Sequence, residues 1–172
     1  MIKFNKIFFG LSIFVIALGA AVLVLPVTTT EICAAGGACQ EKASGRGELE
    51  TPGNKRIFSF TVVANPDGTA VGRAVVINKA QDFVAEIDIK CLDVVGNRAR
   101  VAGVVTSTTD PNFNNNVAVF EIFDNGTGAT DTNSLTYFSP PNTIQPTPTY
   151  CRTFENFPQQ PFGGNAIVED CP

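Results

Sequence analysis

The feature that most constrains the fold is an alternation of apolar and polar residues along residues 83–105. Such a period of two is typical of a strand with one buried side and one solvent-facing side. Gly96 and Asn97 interrupt the run and supply a two-residue hairpin turn. The predicted buried face carries Phe83, Ala85, Ile87, Ile89 and Cys91 before the turn, and Ala99, Val101, Gly103 and Val105 after it. The predicted outer face sets Glu86, Asp88 and Lys90 opposite Arg98 and Arg100.

The rest of the chain beyond Cys39 consists of similar short runs separated by turn residues, with no predicted helix. The hairpin supplies strands four and five. The other predicted strands are Arg46–Glu50, Ile57–Ala64, Thr69–Asn78, Val117–Phe123, Ser134–Phe138 and Gly163–Glu169. Eight short strands at this spacing predict an all-β fold, an antiparallel barrel or sandwich. We expect the first and last strands to be adjacent, because this removes both exposed edges of the sheet.

Residues 1–38 have the pattern of an export signal. Lys3 and Lys6 precede the charge-free run Ile7–Leu25, which is longer than the ~7–15 residues of a usual signal core and reaches the ~18 that can span a bilayer. Two alternatives follow: cleavage after Ala35 or Ala38, or an uncleaved membrane anchor. Cleavage leaves an even number of cysteines, which favours a secreted or cell-surface domain over residues 39–172. The membrane is a predicted partner only if the segment stays uncleaved.

Four cysteines remain after cleavage: Cys39, Cys91, Cys151 and Cys171. They allow three pairings, and the sequence alone does not choose among them. A Cys91–Cys151 bridge would hold the Pro-rich run Ser139–Pro161 to the barrel and stabilise by roughly 3–4 kcal/mol. Cys39 and Cys171 would then join the two ends of the domain.

The amino-acid composition limits the catalytic and binding chemistry that this chain can support. The chain has no histidine, and its 12 Lys and Arg are outnumbered by 16 Asp and Glu. The usual general base and the commonest metal ligand are therefore missing, and the mild acidity argues against a nucleic-acid partner. We expect the acidic residues of the strands, Glu86 and Asp88 among them, to face solvent. A glycoside hydrolase that uses a carboxylate pair is for this reason a less favoured function.

Two candidate binding sites remain. Asp124, Asn125 and Asp131 offer hard oxygen ligands on a Gly-containing loop, which suits Ca²⁺ as the one candidate cofactor. The alternative is a turn in which both aspartates accept hydrogen bonds from backbone N–H groups. A cavity inside the barrel is the second candidate, since Gly72, Ala74 and Gly103 would leave room for a small apolar ligand. We expect three phenylalanines to pack against the barrel and hold the long final loop, Ser139–Pro161, in place: Phe154, Phe157 and Phe162.

The order and spacing of several short sequence fragments resemble those of the post-COAP domain, a domain of secreted bacterial proteins with no assigned biochemical activity. The resemblance covers about Gly45–Asp170 and implies a secreted β-domain without a known reaction. The matching fragments are Gly45–Leu49, Phe58–Phe60, Pro66–Ala70, Cys91–Gly103, Asp124–Gly128 and Gly164–Asn165. The family has a polar residue, often histidine, shortly before the Cys-Leu motif. Here Val84–Glu86 stands there, so any role of that residue does not carry over.

The sequence therefore predicts an exported, non-catalytic β-domain that is structural, adhesive or displayed on a surface. Its partner would be a cell-surface or extracellular component, contacted through the loops Thr106–Asn116 and Ser139–Pro161. The alternative is a barrel that binds a small apolar ligand or Ca²⁺. A filled interior favours the first interpretation, and a lined cavity favours the second.

Overall fold

The computed structural model describes residues 39–51 and 54–171, which form one sheet of nine strands. The predicted export signal and both predicted cleavage sites lie outside the described residues. The strands are β1 (Lys42–Thr51), β2 (Asn54–Ala64), β3 (Thr69–Asn78), β4 (Phe83–Val95), β5 (Arg98–Thr108), β6 (Val117–Phe123), β7 (Thr132–Ser134), β8 (Tyr137–Ser139) and β9 (Gln159–Glu169). One short helix, α1 (Pro148–Thr153), precedes β9 in the chain.

Eight of these strands close into an antiparallel barrel in the order β5-β4-β3-β2-β1-β9-β7-β6, and β6 pairs back with β5. The first and last strands are adjacent, from Lys42 opposite Glu169 to Leu49 opposite Phe162. Strand β8 pairs with the first residues of β6 and lies outside the closed barrel. The predicted all-β fold with adjacent first and last strands is thus confirmed, and the structure selects the barrel.

The chain after β6 differs from the prediction in two ways. The predicted strand Ser134–Phe138 is two short strands, one on each side of Leu135 and Thr136. The predicted absence of helix is wrong for Pro148–Thr153, where the Thr147 hydroxyl accepts a hydrogen bond from the backbone N–H of Tyr150. A threonine cap followed by a proline is a helix-start signal, but the proline-rich surroundings hid it.

The barrel interior is filled by aromatic side chains. Phe58, Phe60 and Phe120 are at most 4% exposed, and their ring centroids lie 4.6–5.5 Å apart. The predicted room at Gly72, Ala74 and Gly103 is absent. A Cβ built on Gly72 or Gly103 would collide with the backbone of the neighbouring strand. These glycines instead allow strands to approach closely where the barrel coils.

A bulge in β4 reverses the predicted direction of Cys91. Ile89 pairs with Gly103 and Cys91 pairs with Ala102, so Lys90 has no partner residue in the register. One extra residue shifts every following side chain to the other face. Leu92 and Val94 therefore enter the barrel core, whereas Cys91 lies on the outside.

A second apolar cluster forms on the outer face at this point, which we call the outer cluster. It contains Cys91, Ala102, Val117, Val119, Cys151 and Phe154, with Ile144, Tyr150 and Phe157 packed against it. The run Ser139–Pro161 covers the barrel here, as the predicted role of Phe154 and Phe157 requires. Phe162 differs, because it belongs to β9 and points into the barrel core.

Two disulfides are present, Cys91–Cys151 and Cys39–Cys171, with Cα–Cα distances of 6.1 Å and 5.5 Å. The structure thus has the pairing in which Cys91 joins Cys151, one of the three that the sequence left open. The first bridge fastens α1 to the barrel wall, and the second joins the two ends of the described domain. None of the helices in the described part of the chain has the length and apolar character needed to cross a bilayer.

Candidate ligand site at the barrel mouth

The predicted Ca²⁺ ligands lie together in the turn after β6, but their carboxylates are engaged by the backbone. Asp131 is 5% exposed, and each of its oxygens accepts one backbone hydrogen bond, as does each oxygen of Asp124. The donors are the N–H groups of Asn125 at 2.9 Å and Ala166 at 2.7 Å for Asp131, and of Gly126 at 2.9 Å and Val168 at 3.2 Å for Asp124. These are the bonds of the turn-capping alternative. The described residues contain no group of three or more His, Cys, Asp or Glu side chains suited to a metal, and Ca²⁺ binding here stays a prediction.

The outer row of the hairpin is arranged differently from the prediction. Asp88 lies opposite Val104, and Arg100 lies opposite Asp93 rather than a residue of the Glu86–Lys90 row. The bulges displace the two rows along the strands. Glu86 is exposed, and Asp88 is paired with Lys90 at 2.5 Å, which agrees with the predicted solvent-facing position of both carboxylates.

Glu121 contradicts the expectation that strand carboxylates face solvent. Its side chain is 1% exposed, and one carboxylate oxygen lies 2.5 Å from Arg98 Nε, an ion pair without the alignment of a hydrogen bond. The other oxygen accepts a hydrogen bond from Gln159 Nε2 at 2.9 Å. The sequence held a signal for this burial, because the run Val117–Phe123 is apolar on both faces. Such a run is typical of a strand that is covered on both sides.

The ion pair belongs to a network that fastens the covering segment. The Arg100 guanidinium donates to the carbonyl oxygen of Arg152 at 2.7 Å and lies 5.4 Å from the ring centre of Phe154. Arg98 and Arg100 both donate to Asn156 Oδ1. These ion pairs and hydrogen bonds join the covering segment to the barrel wall.

A pocket of about 680 Å³ opens at the end of the barrel where β3 passes into β4 and β5 passes into β6. We call it the mouth pocket. This volume falls in the range of about 300–1,000 Å³ that is usual for small-molecule sites. The lining residues are Arg56, Val76, Asn78, Gln81, Asp82, Phe83, Thr109, Asp110, Pro111, Phe113, Thr136 and Phe138.

One wall of the mouth pocket is aromatic. Phe83, Phe113 and Phe138, the aromatic trio, contact one another edge to face with centroid distances of 5.1–5.8 Å. They come from the start of β4, the β5–β6 loop and β8. The trio supplies a rigid apolar surface, because each ring is held by the other two.

The loop that carries Phe113 is fastened to the barrel rim. Thr109 donates its backbone N–H to the carbonyl of Val84 at 3.0 Å and its hydroxyl to the carbonyl of Asp82 at 3.0 Å. The Asp110 carboxylate accepts from the backbone N–H of Asn112 at 3.0 Å. The loop's own hydrogen bonds therefore hold this wall of the pocket in place.

A second part of the lining, which we call the polar wall, has unmet hydrogen bonds and adjoins the trio, since Asn78 pairs with Phe83 in the β3–β4 register. Arg56 and Asn78 are directly opposite each other in the β2–β3 register, and Arg56 shares the inward face of β2 with Phe58 and Phe60. Asn78 is 3% exposed. Among the buried polar atoms of the described residues that lack a hydrogen-bond partner, Arg56 Nε and Asn78 Oδ1 line this pocket. A buried polar group without a partner costs about 1–3 kcal/mol, so these two atoms require a partner that is either an ordered water or a ligand group.

A smaller pocket of about 350 Å³ lies at the other end of the barrel. Glu41 and Asp93 line it, and burial is the main cause that raises the pKa of each carboxyl group. The negative charge of Asp170 raises both pKa values further, whereas the positive charge of Arg152 lowers them. Perturbed carboxyls mark functional sites in some proteins, but here they also line the region of the Cys39–Cys171 bridge.

No family model, curated protein or solved structure matches this chain. Membership of the post-COAP domain family therefore stays a prediction.

The mouth pocket was missed at the sequence level. The predicted contact loop Thr106–Asn116 does supply part of its lining, through Thr109, Asp110, Pro111 and Phe113. The position of Arg56 could have indicated the site, since a cation on the buried face of a strand is almost always paired with another group. The alternation of β2 predicts that face, but the partners of Arg56 come from other strands and only barrel closure brings them close.

Proposed function

We propose that this protein is an exported, non-catalytic β-barrel that binds a small molecule in the mouth pocket. The observation that carries the proposal is the pairing of a preformed aromatic wall with two buried polar atoms, Arg56 Nε and Asn78 Oδ1, that lack partners. Because Phe58, Phe60 and Phe120 fill the barrel, the ligand sits at the mouth and not in the interior.

Export is supported by the two disulfides and by the signal-like pattern of residues 1–38. Disulfides persist in oxidising compartments outside the cytosol. The coarser conclusion, a disulfide-bonded barrel consistent with an extracellular location, follows from the structure. Secretion or retention at the cell surface belongs to the proposal.

A fragment screen by ligand-observed NMR on the oxidised domain tests the proposal. We expect fragment hits, and we expect Phe113→Ala to weaken their binding at least tenfold because it removes one ring of the aromatic trio. Phe157→Ala is the matched control, since it deletes the same atoms from a ring that stacks on Tyr137 away from the pocket. Hits that bind both variants equally would show that the mouth pocket is not the binding site.

A second candidate function is contact with a cell-surface or extracellular component through the predicted loops. The structure favours it in one respect: the loops adjoin, with Asn115 on one side of a shallow pocket and Pro141, Asn142 and Ile144 on the other. Replacing Ser139–Pro161 by a short turn would delete Cys151 and Phe154, so point changes are the better test.

The exposed pair Thr143→Arg and Gln145→Arg serves this purpose. Loss of binding to a host-cell envelope fraction in this variant, with binding kept in Phe113→Ala, would support the contact function. The reverse result would support the mouth pocket. The two functions are therefore separated by one pair of variants.

A further inference from the structure

The two unmet atoms in the mouth pocket are of opposite kinds. Arg56 Nε–H is a donor without an acceptor, and Asn78 Oδ1 is an acceptor without a donor. The other end of the Asn78 amide is already engaged, because Nδ2 donates to Gln81 Oε1 at 2.6 Å. A ligand that completes this wall must offer an acceptor and a donor over the short distance between two directly opposed residues.

This requirement excludes groups that only accept or only donate. A carboxylate only accepts at neutral pH, and an ammonium group only donates. A hydroxyl group does both, so one hydroxyl or two adjacent hydroxyls can satisfy Arg56 Nε and Asn78 Oδ1 together. A purely apolar ligand would leave both atoms buried without partners, and sites of that kind reject analogues that lack the missing group.

The charge of the lining favours a neutral ligand. Arg56 is the one cation among the lining residues, whereas Asp82 and Asp110 contribute two carboxylates. An anion would approach Arg56 past these carboxylates, and a cation would meet Arg56 itself. Hydroxyl groups carry no such penalty, and their protons are suited to donate to carboxylate oxygens on the rim.

The aromatic trio supplies the complementary surface. A sugar ring presents C–H groups on one face and hydroxyl groups around its edge. Such a ring can place its C–H face on Phe83, Phe113 or Phe138 and direct its hydroxyl groups at the polar wall. Lining residues with Asn, Gln, Asp and Arg beside aromatic rings provide both kinds of contact in one pocket.

We propose that the mouth pocket binds a neutral carbohydrate, with hydroxyl groups of one sugar ring bridging Arg56 Nε and Asn78 Oδ1 and its C–H face on the aromatic trio. This inference rests on the proposed small-molecule function and specifies its ligand class. It needs no catalytic group, so the barrel acts as a carbohydrate-binding module.

The test uses the oxidised domain and a panel of matched ligands in ligand-observed NMR and calorimetry. Glucose, galactose and N-acetylglucosamine, with their β-linked disaccharides, are compared with glucuronate and glucosamine, which add a negative and a positive charge. Hexanoate and cyclohexylmethanol represent apolar ligands. We expect at least one neutral saccharide to bind more tightly than its charged counterparts and than both apolar probes.

Two variants address the polar wall. Asn78→Leu keeps the branched shape and removes the acceptor, and Arg56→Met keeps an unbranched apolar stem and removes the guanidinium donor. Each should weaken the saccharide by about tenfold or more, because a buried hydrogen bond is lost. Arg73→Met, an exposed outward-facing position on β3, is the matched control and should leave binding unchanged. Equal melting temperatures exclude misfolding, and if Asn78→Leu does not fold, Arg56→Met alone carries the test.

The outcomes separate the inference from the proposed function. One outcome is that no saccharide binds but the apolar probes do, with their binding lost in Phe113→Ala and unchanged in Arg56→Met. In that case the proposed ligand class is wrong and the small-molecule function stands. If no ligand binds, both are wrong. If no saccharide binds and Asn78→Leu melts at a higher temperature than the wild type, the polar wall holds ordered water only, which would also overturn the carbohydrate proposal.

Discussion

Neutralising Glu121 should be among the most damaging conservative substitutions in this protein. The side chain is 1% exposed and lies between Arg98, with Nε at 2.5 Å, and Arg100, with Nε at 3.4 Å. Glu121→Gln keeps the shape and removes the charge. It leaves two guanidinium groups close together, with side-chain exposures of 21% and 16%, and no buried anion between them.

Removing one partner of a buried ion pair costs about 3–5 kcal/mol. We expect the lower end, about 3 kcal/mol, because both arginines retain some contact with water. For a domain of this size the loss corresponds to a decrease of roughly 10 °C in melting temperature. Urea unfolding followed by circular dichroism, with both disulfides oxidised, measures the change directly.

The matched control is Glu86→Gln, an exposed residue of β4, which should alter stability by less than about 0.5 kcal/mol. A double variant with Arg98→Met tests the cause. If the loss arises from uncompensated positive charge, removing Arg98 as well should recover part of it, and the two changes will not be additive. A loss below about 1 kcal/mol for Glu121→Gln, or strict additivity, would refute the ion-pair explanation.

Four further changes have predictable outcomes. Replacing Cys91 and Cys151 by alanine opens a loop with a sequence separation of 60 and should lower the free energy of unfolding by about 4 kcal/mol; an unchanged urea midpoint would contradict this. Burial raises the pKa of Glu41 above its ordinary value of 4.5, so the folded state holds this proton more tightly and wild-type stability falls as pH rises through and just above that value. Glu41→Gln should therefore be more stable than wild type at pH 7 and equal to it at pH 3.5. Asp67→Asn should be less stable than wild type at pH 7, because hydrogen bonds from Thr69 lower the pKa of Asp67. A stability change of the same sign at pH 7 in both variants would be inconsistent with these pKa shifts. Gly72→Ala should cost about 1–3 kcal/mol, since the added methyl group meets the backbone of β2, and a neutral result in thermal melts would show that the strands separate more easily than the structure implies.

The mouth pocket and the Glu121 network differ in charge compensation. In the network, Glu121 forms ion pairs with Arg98 and Arg100 beneath the covering segment. In the mouth pocket, Arg56 Nε and Asn78 Oδ1 are buried without partners beside an apolar wall. Ion pairs between opposite charges hold the covering segment to the barrel, whereas polar atoms that line a pocket beside apolar side chains are positioned to orient a ligand.

Local pattern was sufficient for most strands. The bounds of β3 and β6 coincide with the prediction, because a period of two and the adjoining turn residues are properties of consecutive residues. The hairpin turn is likewise local: Gly96 adopts a φ of 61° between β4 and β5. Barrel closure between β1 and β9 was also predictable in outline, since eight strands without a closing pair would expose two edges.

Tertiary structure alone decided which polar residues are buried and what surrounds them. One unpaired residue in β4 turned Cys91 outward, and Glu121 became buried on the outer face of β6 among Arg98, Arg100 and Gln159. The mouth pocket arises in the same way, because Arg56, Asn78 and Phe113 belong to different parts of the chain and meet only when the barrel closes. Sequence periodicity determines the face on which a side chain lies, but burial and partners depend on contacts between residues far apart in the chain.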